Sequence, residues 1–216
     1  MSSAAKACLL LVSVLVLAAC AGSEPSRFYT LDVQAPAPAT APAASPGAGR
    51  RTVGLSPVQV PRYLDRPQLV TRTDANTLEL AEFDKWSEPL ADMIGRVLAE
   101  ELSRRLPRDR IFLLPVRQAV AIDRIVDIQV TRFDADAAGE VGLDAGWQVF
   151  AEGGRRLLQV ERTAIRESAA GAGKAAMVAA MSRALSRLAA EIAGALAARD
   201  RQPAESRREY RAPLLS

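Results

Sequence analysis

The chain has 216 residues, a nearly balanced formal charge of +3 at pH 7, and no histidine. Without histidine, neither a Ser-His-Asp or Cys-His nucleophile system nor an imidazole metal site can be assembled, which excludes the commonest hydrolase designs. Basic and acidic residues are interleaved and aromatic residues make up only 5% of the chain. This pattern indicates a solvated mixed surface rather than a nucleic-acid interface.

The first 19 residues have the pattern of a removable export signal. One cation, Lys6, precedes an apolar run over residues 7–19 that only Ser13 interrupts. This run is shorter than the about 20 residues that a membrane-spanning helix needs, and it fits the apolar core of a secretory signal. We therefore predict that residues 1–19 are removed after export.

Cys20 follows Leu17-Ala18-Ala19, where small residues fit the signal peptidase and the thiol is the nucleophile for diacylglyceryl transfer. We predict that the mature chain begins at Cys20 and is held on a membrane by lipid there, with palmitate among the acyl groups. The alternative, an ordinary signal peptide with a chance cysteine, is disfavoured by the polar Gly22-Ser23-Glu24 that follows. The other cysteine, Cys8, leaves with the signal, so the mature chain has no free thiol and no disulfide.

The residue at position 21 bears on whether the lipoprotein stays in the inner membrane or is sorted to the outer membrane. An aspartate directly after the acylated cysteine is the usual signal for retention in the inner membrane, and this chain has alanine there. We therefore expect sorting to the cell outer membrane, with the protein facing the periplasm.

Two segments lie between Cys20 and the predicted domain. Residues 27–31 alternate enough in polarity to predict a short strand or a docking segment. Residues 35–49 are mostly alanine and proline, which favours extended polyproline conformations and provides too little apolar surface to fold. Such a stretch could reach about 45 Å. Residues 20–50 are accordingly predicted to be a lipidated N-terminus and a passive tether.

A folded domain is predicted over residues 51–199. Its strands are expected at residues 52–60 with a bulge or edge at Pro57, at 68–72 and 77–82 as a hairpin, and at 110–116. A second group, at residues 124–134, 143–152 and 155–167, is expected to form an antiparallel meander with Gly153-Gly154 as one turn.

The first of two helices is predicted over residues 87–106. Ser87 is the expected N-cap, and Glu88 and Pro89 are expected in the first turn, where a carboxylate meets the helix dipole and proline loses no needed hydrogen bond. Pro107 is expected to end the helix.

The second helix is predicted over residues 173–199, and residues 200–216 are predicted to be a disordered tail. We expect its apolar stripe to pack on the sheet, while a coiled coil with a partner is the alternative. The stripe consists of Val178, Met181, Leu185, Leu188, Ile192 and Leu196. The predicted fold class is α+β, with an antiparallel-rich sheet of five to seven strands and two main helices packed on one face.

Three short motifs combine aromatic, proline and charged residues. They are Tyr29-x-Leu31, residues 61–70 (PRYLDRPQLV) and residues 84–90 (DKWSEPL). The two prolines of the second motif restrict its backbone, which favours Tyr63 and Leu64 pointing toward the core or a partner.

The remaining motif residues are given structural roles, each with a functional alternative. Asp65 and Arg66, before Pro67, are predicted to be loop hydrogen-bonding groups, and Trp86 is predicted to pack on the helix start. The alternative is that an exposed Tyr63 or Trp86 anchors a protein interface.

With these motifs, the chain resembles the ABC-type transport auxiliary lipoproteins, the PqiC-like components of MCE (mammalian-cell-entry) lipid transport systems. A later Arg132-Phe133 strand and the alanine-rich C-terminal helix also fit this family. The resemblance implies an α+β domain on the outer membrane that works with an MCE-domain periplasmic protein and its associated inner-membrane transporter. It further implies a lipid or other hydrophobic cargo and a role in envelope integrity.

The leading functional hypothesis is a non-enzymatic docking or channel-end subunit, for which we expect no catalytic residues, no cofactor and no metal. A homo-oligomeric ring is a further expectation, since repeated contacts around an axis close into cyclic assemblies. A structural envelope lipoprotein without a transport role is one alternative, and a histidine-free periplasmic hydrolase is another. The Gly171-x-Gly173-Lys174 sequence lacks the strand and the spacing of a phosphate-binding loop.

Replacing the predicted acylation site tests the anchor. Cys20→Ser should abolish labelling with radioactive palmitate, because the acyl chains need its sulfur, and should leave the precursor uncut or mislocalised. Gel autoradiography and membrane fractionation measure both effects. Labelling that persists in the variant would end this interpretation.

Overall fold

The computed structural model describes residues 24–34, 51–116 and 120–198, which form eight strands and two helices. The strands are β1 (Arg27–Tyr29), β2 (Thr52–Leu55), β3 (Gln68–Arg72), β4 (Leu78–Trp86), β5 (Arg110–Leu113), β6 (Arg124–Asp136), β7 (Glu140–Ala151) and β8 (Arg156–Ser168). The helices are α1 (Leu90–Arg105) and α2 (Lys174–Ala198). The predicted signal, Cys20, residues 35–50 and the predicted tail lie outside the described residues.

All eight strands belong to one mixed sheet organised around β6. One edge of β6 pairs with β7 in antiparallel fashion along nearly its whole length, and β7 continues the meander into β8. Two strands share the other edge of β6. The first residues of β6 pair in parallel with β2, and its last residues pair in parallel with β3. β2 carries β5 at its far side, whereas β3 carries β4 and β4 carries β1.

The predicted α+β class is confirmed, together with the hairpin β3–β4 and the meander β6–β7–β8. The sheet has eight strands rather than five to seven, because the short segment at residues 27–29 joins it as β1. The strand predicted at residues 52–60 ends at Leu55. After Pro57, which cannot donate to a ladder, the chain returns to β6 only at a single bridge between Gln59 and Gln129.

The hydrophobic core lies between the sheet and the two helices, which pack against each other. The apolar stripe predicted on the second helix is buried within the domain, and this confirms the intramolecular interpretation. Its members Val178, Met181, Leu185, Leu188, Ile192 and Leu196 are each at most 6% exposed.

The start of α1 differs from the prediction. The helix begins at Leu90, the N-cap position is occupied by Pro89, and no side chain caps the first turn. Ser87 does not cap the helix, because it lies two residues before the N-cap position. Its backbone N–H donates to the Tyr29 carbonyl at 2.9 Å and so extends the pairing of β1 with β4. Glu88 lies before the helix and forms an ion pair with Arg96.

A charged group in the buried stripe should destabilise the domain strongly. Leu188 is 0% exposed, so Leu188→Asp would bury an unpaired carboxylate and lower the free energy of unfolding by about 4 kcal/mol or more. Urea denaturation measures the change. Ala190→Asp, on the exposed side of the same helix, is the matched control. If Leu188→Asp unfolded at the parental midpoint, the stripe would not be core.

Candidate functional site

The three motifs meet at one corner of the sheet. Tyr29 of β1 is the register partner of Trp86 at the end of β4. The backbone N–H of Trp86 donates to the Pro67 carbonyl at 2.6 Å, and the next N–H, that of Ser87, donates to Tyr29. We call this region the N-terminal corner, defined as β1, Pro67, the end of β4 from Asp84, and residues 87–90. Backbone hydrogen bonds thus join segments that are far apart in the chain.

A buried carboxylate holds the side chains of this corner. Asp84 is 7% exposed, and its Oδ1 accepts from Arg27 Nε at 2.8 Å and from the Tyr29 hydroxyl at 2.9 Å. Burial raises the pKa of Tyr29, and the hydrogen bond to Asp84 raises it further. The phenol therefore stays neutral and keeps donating at physiological pH. β1 is attached by side chains as well as by its backbone.

The residues after β1 cross the two helices. Leu31 is 2% exposed and its N–H lies 2.9 Å from the Met93 sulfur of α1. The N–H of Asp32 donates to Ser182 Oγ of α2 at 3.1 Å. Side chains of both helices thus accept backbone hydrogens that no strand partner takes. The segment is part of the folded domain.

Glu101 fixes the end of this segment. Its side chain is 0% exposed, and its Oε1 accepts the Gln34 N–H at 2.6 Å. Its Oε2 accepts from Arg105 of the same helix at 3.1 Å and from Ser186 Oγ of α2 at 3.2 Å. One carboxylate on α1 therefore connects the chain that leaves the corner with both helices.

These contacts move the folded boundary toward the N-terminus. Residues 20–50 are predicted from the sequence as a lipidated N-terminus and a tether, with residues 27–31 as a short strand or docking segment. In the structure residues 27–29 pair with β4 and residues 31–34 pack on the helices. At the far end of the proline-rich stretch, Arg51 donates to the Leu196 carbonyl at 2.9 Å and pairs with Asp109. Residues 27–34 and the chain from Arg51 onward therefore belong to one folded domain.

Tyr63 belongs to a second buried network. Its hydroxyl donates to Asp134 Oδ2 at 2.9 Å, and the same 0% exposed carboxylate accepts from Arg72 Nη2 at 2.9 Å and Arg132 Nε at 2.8 Å. Burial acts to raise the pKa of Asp134, but the hydrogen bonds from Arg72, Arg132 and Tyr63 hold that pKa below its ordinary value. Burial also raises the pKa of Tyr63 to about 12, with a further contribution from the Asp134 charge.

The other motif residues do not converge on a common point. Leu64 is 2% exposed in the core, whereas Asp65 is exposed beside it. The backbone N–H of Arg66 donates to the Leu64 carbonyl at 2.9 Å, while its buried Nε has no hydrogen-bond partner among the described residues. Trp86 is 5% exposed, so little of its ring is available to a partner.

The buried carboxylates of the N-terminal corner and of the second network hold distant segments of the chain together. The carboxylate of Asp84 accepts from Arg27 and from the Tyr29 hydroxyl. In the second network, the carboxylate of Asp134 accepts from Arg72, Arg132 and the Tyr63 hydroxyl. Over residues 24–34, 51–116 and 120–198, no three His, Cys, Asp or Glu side chains come together as a metal site. No helix in these ranges is long and apolar enough to cross a bilayer.

Sequence reasoning did not single out Asp84, Glu101 or Asp134. A period-two pattern places Asp134 on the face of β6 opposite Phe133, where a charged residue is expected to be solvated. Its burial comes from Tyr63 and Arg72, which approach from other segments. For these three buried carboxylates the sequence contained one local signal, which is that Asp84 is the first residue of the DKWSEPL motif.

Tyr63→Phe should change the stability of the domain with a specific pH dependence. The folded pKa of about 12 lies above the ordinary value of 10. The contribution of the hydroxyl is therefore fully present below pH 10 and is lost as the pH rises toward 12. At pH 8 we expect the variant to be less stable by about 1–2 kcal/mol, discounted for partial solvent access. Urea denaturation from pH 8 to pH 12 should show this difference shrinking. A constant difference would mean that Tyr63 is not linked to Asp134.

Comparison with known proteins agrees with this architecture. A family model for the ABC-type transport auxiliary lipoprotein component matches residues 29–193, from β1 into α2. A crystal structure of an uncharacterised protein is similar, with 21% identity, a TM-score of 0.66, and coverage of 80% of this chain and 99% of that chain. Protein XCC0632 from Xanthomonas campestris, of the DUF330 family, gives 17% identity, a TM-score of 0.66, and coverage of 81% and 98%.

At these identities the two structures show a shared fold. No curated protein matches the chain. The family match covers most of the chain, includes all three motifs, and confirms the resemblance seen in the sequence. This protein therefore belongs to the family of ABC-type transport auxiliary lipoproteins.

Proposed function

We propose that this protein is a non-enzymatic accessory subunit of an envelope lipid transport system, lipid-anchored at Cys20 to the periplasmic face of the outer membrane. Its partners in this proposal are an MCE-domain periplasmic protein and the inner-membrane transporter associated with it. It serves as a docking or channel-end component and so supports envelope integrity. The family match over residues 29–193 supports the general role in transport.

One structural observation carries the proposal. The chain that follows Cys20 enters the sheet at β1 and is held there by Asp84, by Ser87 and by both helices. A domain built in this way cannot move far from its anchor, so it presents a fixed surface beside the membrane. A fixed surface suits a subunit that receives another protein.

The polar networks support a binding role over a catalytic one. General acid–base catalysis needs a group poised to exchange a proton near the working pH. Asp134 has a lowered pKa and its carboxylate is occupied by three donors, while the raised pKa of Tyr63 keeps that phenol neutral. These groups hold segments together and offer no free acid or base to a substrate.

A homo-oligomeric ring remains part of the proposal, but it needs a surface other than the stripe on α2. That stripe is buried inside the domain. The exposed apolar residues of the described ranges are the alternative source of contacts between copies. Away from β1 they are Leu80, Leu113, Leu157 and Val160.

Crosslinking in intact cells tests the partner. The full-length lipoprotein with a C-terminal tag should co-purify an MCE-domain protein after crosslinking. Cys20→Ser is the control, because a chain that stays uncut or is mislocalised should lose that partner while keeping its fold. Recovery of the lipoprotein alone from intact membranes would favour a structural envelope role.

Two measurements on the purified lipoprotein separate the remaining alternatives. Mass photometry in detergent should show a closed oligomer, and incubation with phospholipids or peptidoglycan fragments should give no turnover. A strictly monomeric protein that ignores the MCE-domain protein yet hydrolyses one of these substrates would replace the proposal with an enzyme.

A further inference from the structure

We infer that the β1 edge of the sheet lies against the membrane surface and that the Phe28 side chain enters the interfacial lipid. The inference rests on the proposed lipidation of Cys20 and adds to it the face of the domain that meets the bilayer. The occupant of this face is therefore phospholipid, and no partner protein is required there.

The length of the chain between the anchor and the sheet sets the distance. Glu24 lies four residues after Cys20, and four extended residues span at most about 14 Å. Phe28 lies four residues further on, which gives a limit of about 28 Å from the anchored Cα atom. The β1 edge therefore lies within about 28 Å of the anchored Cα atom, a shorter distance than the about 45 Å that the proline-rich stretch could reach.

The strand cannot detach to lengthen this connection without breaking the corner. Arg27 and Tyr29 on either side of Phe28 are hydrogen-bonded to buried Asp84. The Tyr29 carbonyl accepts from Ser87, and Leu31 is buried two residues later. The anchored end of the chain and the rigid domain therefore meet at β1, and the domain keeps this corner toward the membrane.

Phe28 is exposed at this corner although it is large and apolar. It is 67% exposed, the highest value among the large apolar side chains that are exposed in the described ranges. Because side chains alternate along a strand, it points away from the face on which Arg27 and Tyr29 reach Asp84. When the ring is exposed to water, the free energy gained by removing its apolar surface from water is lost. At a bilayer interface the ring recovers that gain by entering the lipid.

The neighbour of Phe28 also suits a lipid surface. Lys85 of β4 is its register partner, so the two side chains share one face. A lysine can lay its aliphatic stem along apolar surface and keep its ammonium among the phosphates. Gln68 of β3 pairs with Lys85 and continues this row with an uncharged side chain. Buried apolar area and electrostatic attraction to anionic lipids are the two contributions that hold a peripheral segment on a bilayer.

The exposed apolar residues on β8 provide a matched control. Val160 is 57% exposed, yet β8 is separated from β1 by the strands β4, β3, β6 and β7. At about 4.8 Å per strand spacing, the two edges are about 24 Å apart along the sheet. A residue there should face the periplasm when β1 faces the lipid.

Site-specific fluorescence on the lipidated full-length chain tests the inference. The mature lipoprotein has no free thiol, so Phe28→Cys and Val160→Cys can each carry a single NBD label. Both proteins are reconstituted in vesicles of phosphatidylethanolamine and phosphatidylglycerol, and flotation shows whether they are bound. Circular dichroism is used to check that both labelled variants remain folded.

We expect the label at position 28 to be quenched at least twofold more by nitroxide on the lipid chains than the label at position 160, and to be protected from aqueous iodide. Equal quenching at the two positions in protein that floats would overturn the inference while leaving the anchor intact. Protection from iodide without quenching by lipid would also overturn it, in favour of a protein contact. Failure of both variants to float would overturn the anchor and, with it, this placement of β1.

Discussion

The sharing of one edge of β6 by two separate strands is the constraint on which the rest of the structure depends. β2 pairs with its first residues and β3 with its last, so the sheet divides into one arm that carries β5 and another that carries β4 and β1. Residues 56–67 must cross from one arm to the other beside β6. Tyr63 of this crossing segment and Arg72 of β3 both donate hydrogen bonds to Asp134 of β6. These bonds attach the crossing segment and the second arm to β6.

The second arm ends in β1, the strand nearest the N-terminus of the chain. β1 has only three residues, too few to be stable as an isolated strand, and it is held by contacts of several kinds. Asp84 fixes its side chains, Ser87 extends its backbone pairing, and Ser182 and Glu101 accept the N–H groups that follow. The segment that follows β1 is thereby fixed to the core of the domain.

Buried charge serves assembly in this fold. Asp84, Glu101 and Asp134 are each at most 7% exposed, and each joins segments that lie more than 50 residues apart in the chain. Leaving any of them without its partners would cost far more than the pair itself contributes, because an isolated buried charge is strongly unfavourable. Such networks specify which segments meet, which a subunit needs if it must present one defined surface to a partner.

Local sequence patterns by themselves predicted the fold class and the family of this protein. The small residues before Cys20 predicted acylation, the period-two runs predicted the meander, the stripe on α2 predicted its buried face, and the three motifs indicated the family. These features depend on neighbouring residues alone. Only the tertiary structure decided that residues 27–29 pair with β4 and that residues 31–34 pack on the helices. It also decided that the backbone N–H of Ser87 donates to β1 and that Asp134 is buried. The physical reason is that a three-residue strand, a backbone donor and a charged side chain acquire their partners from distant parts of the chain, which no local pattern records.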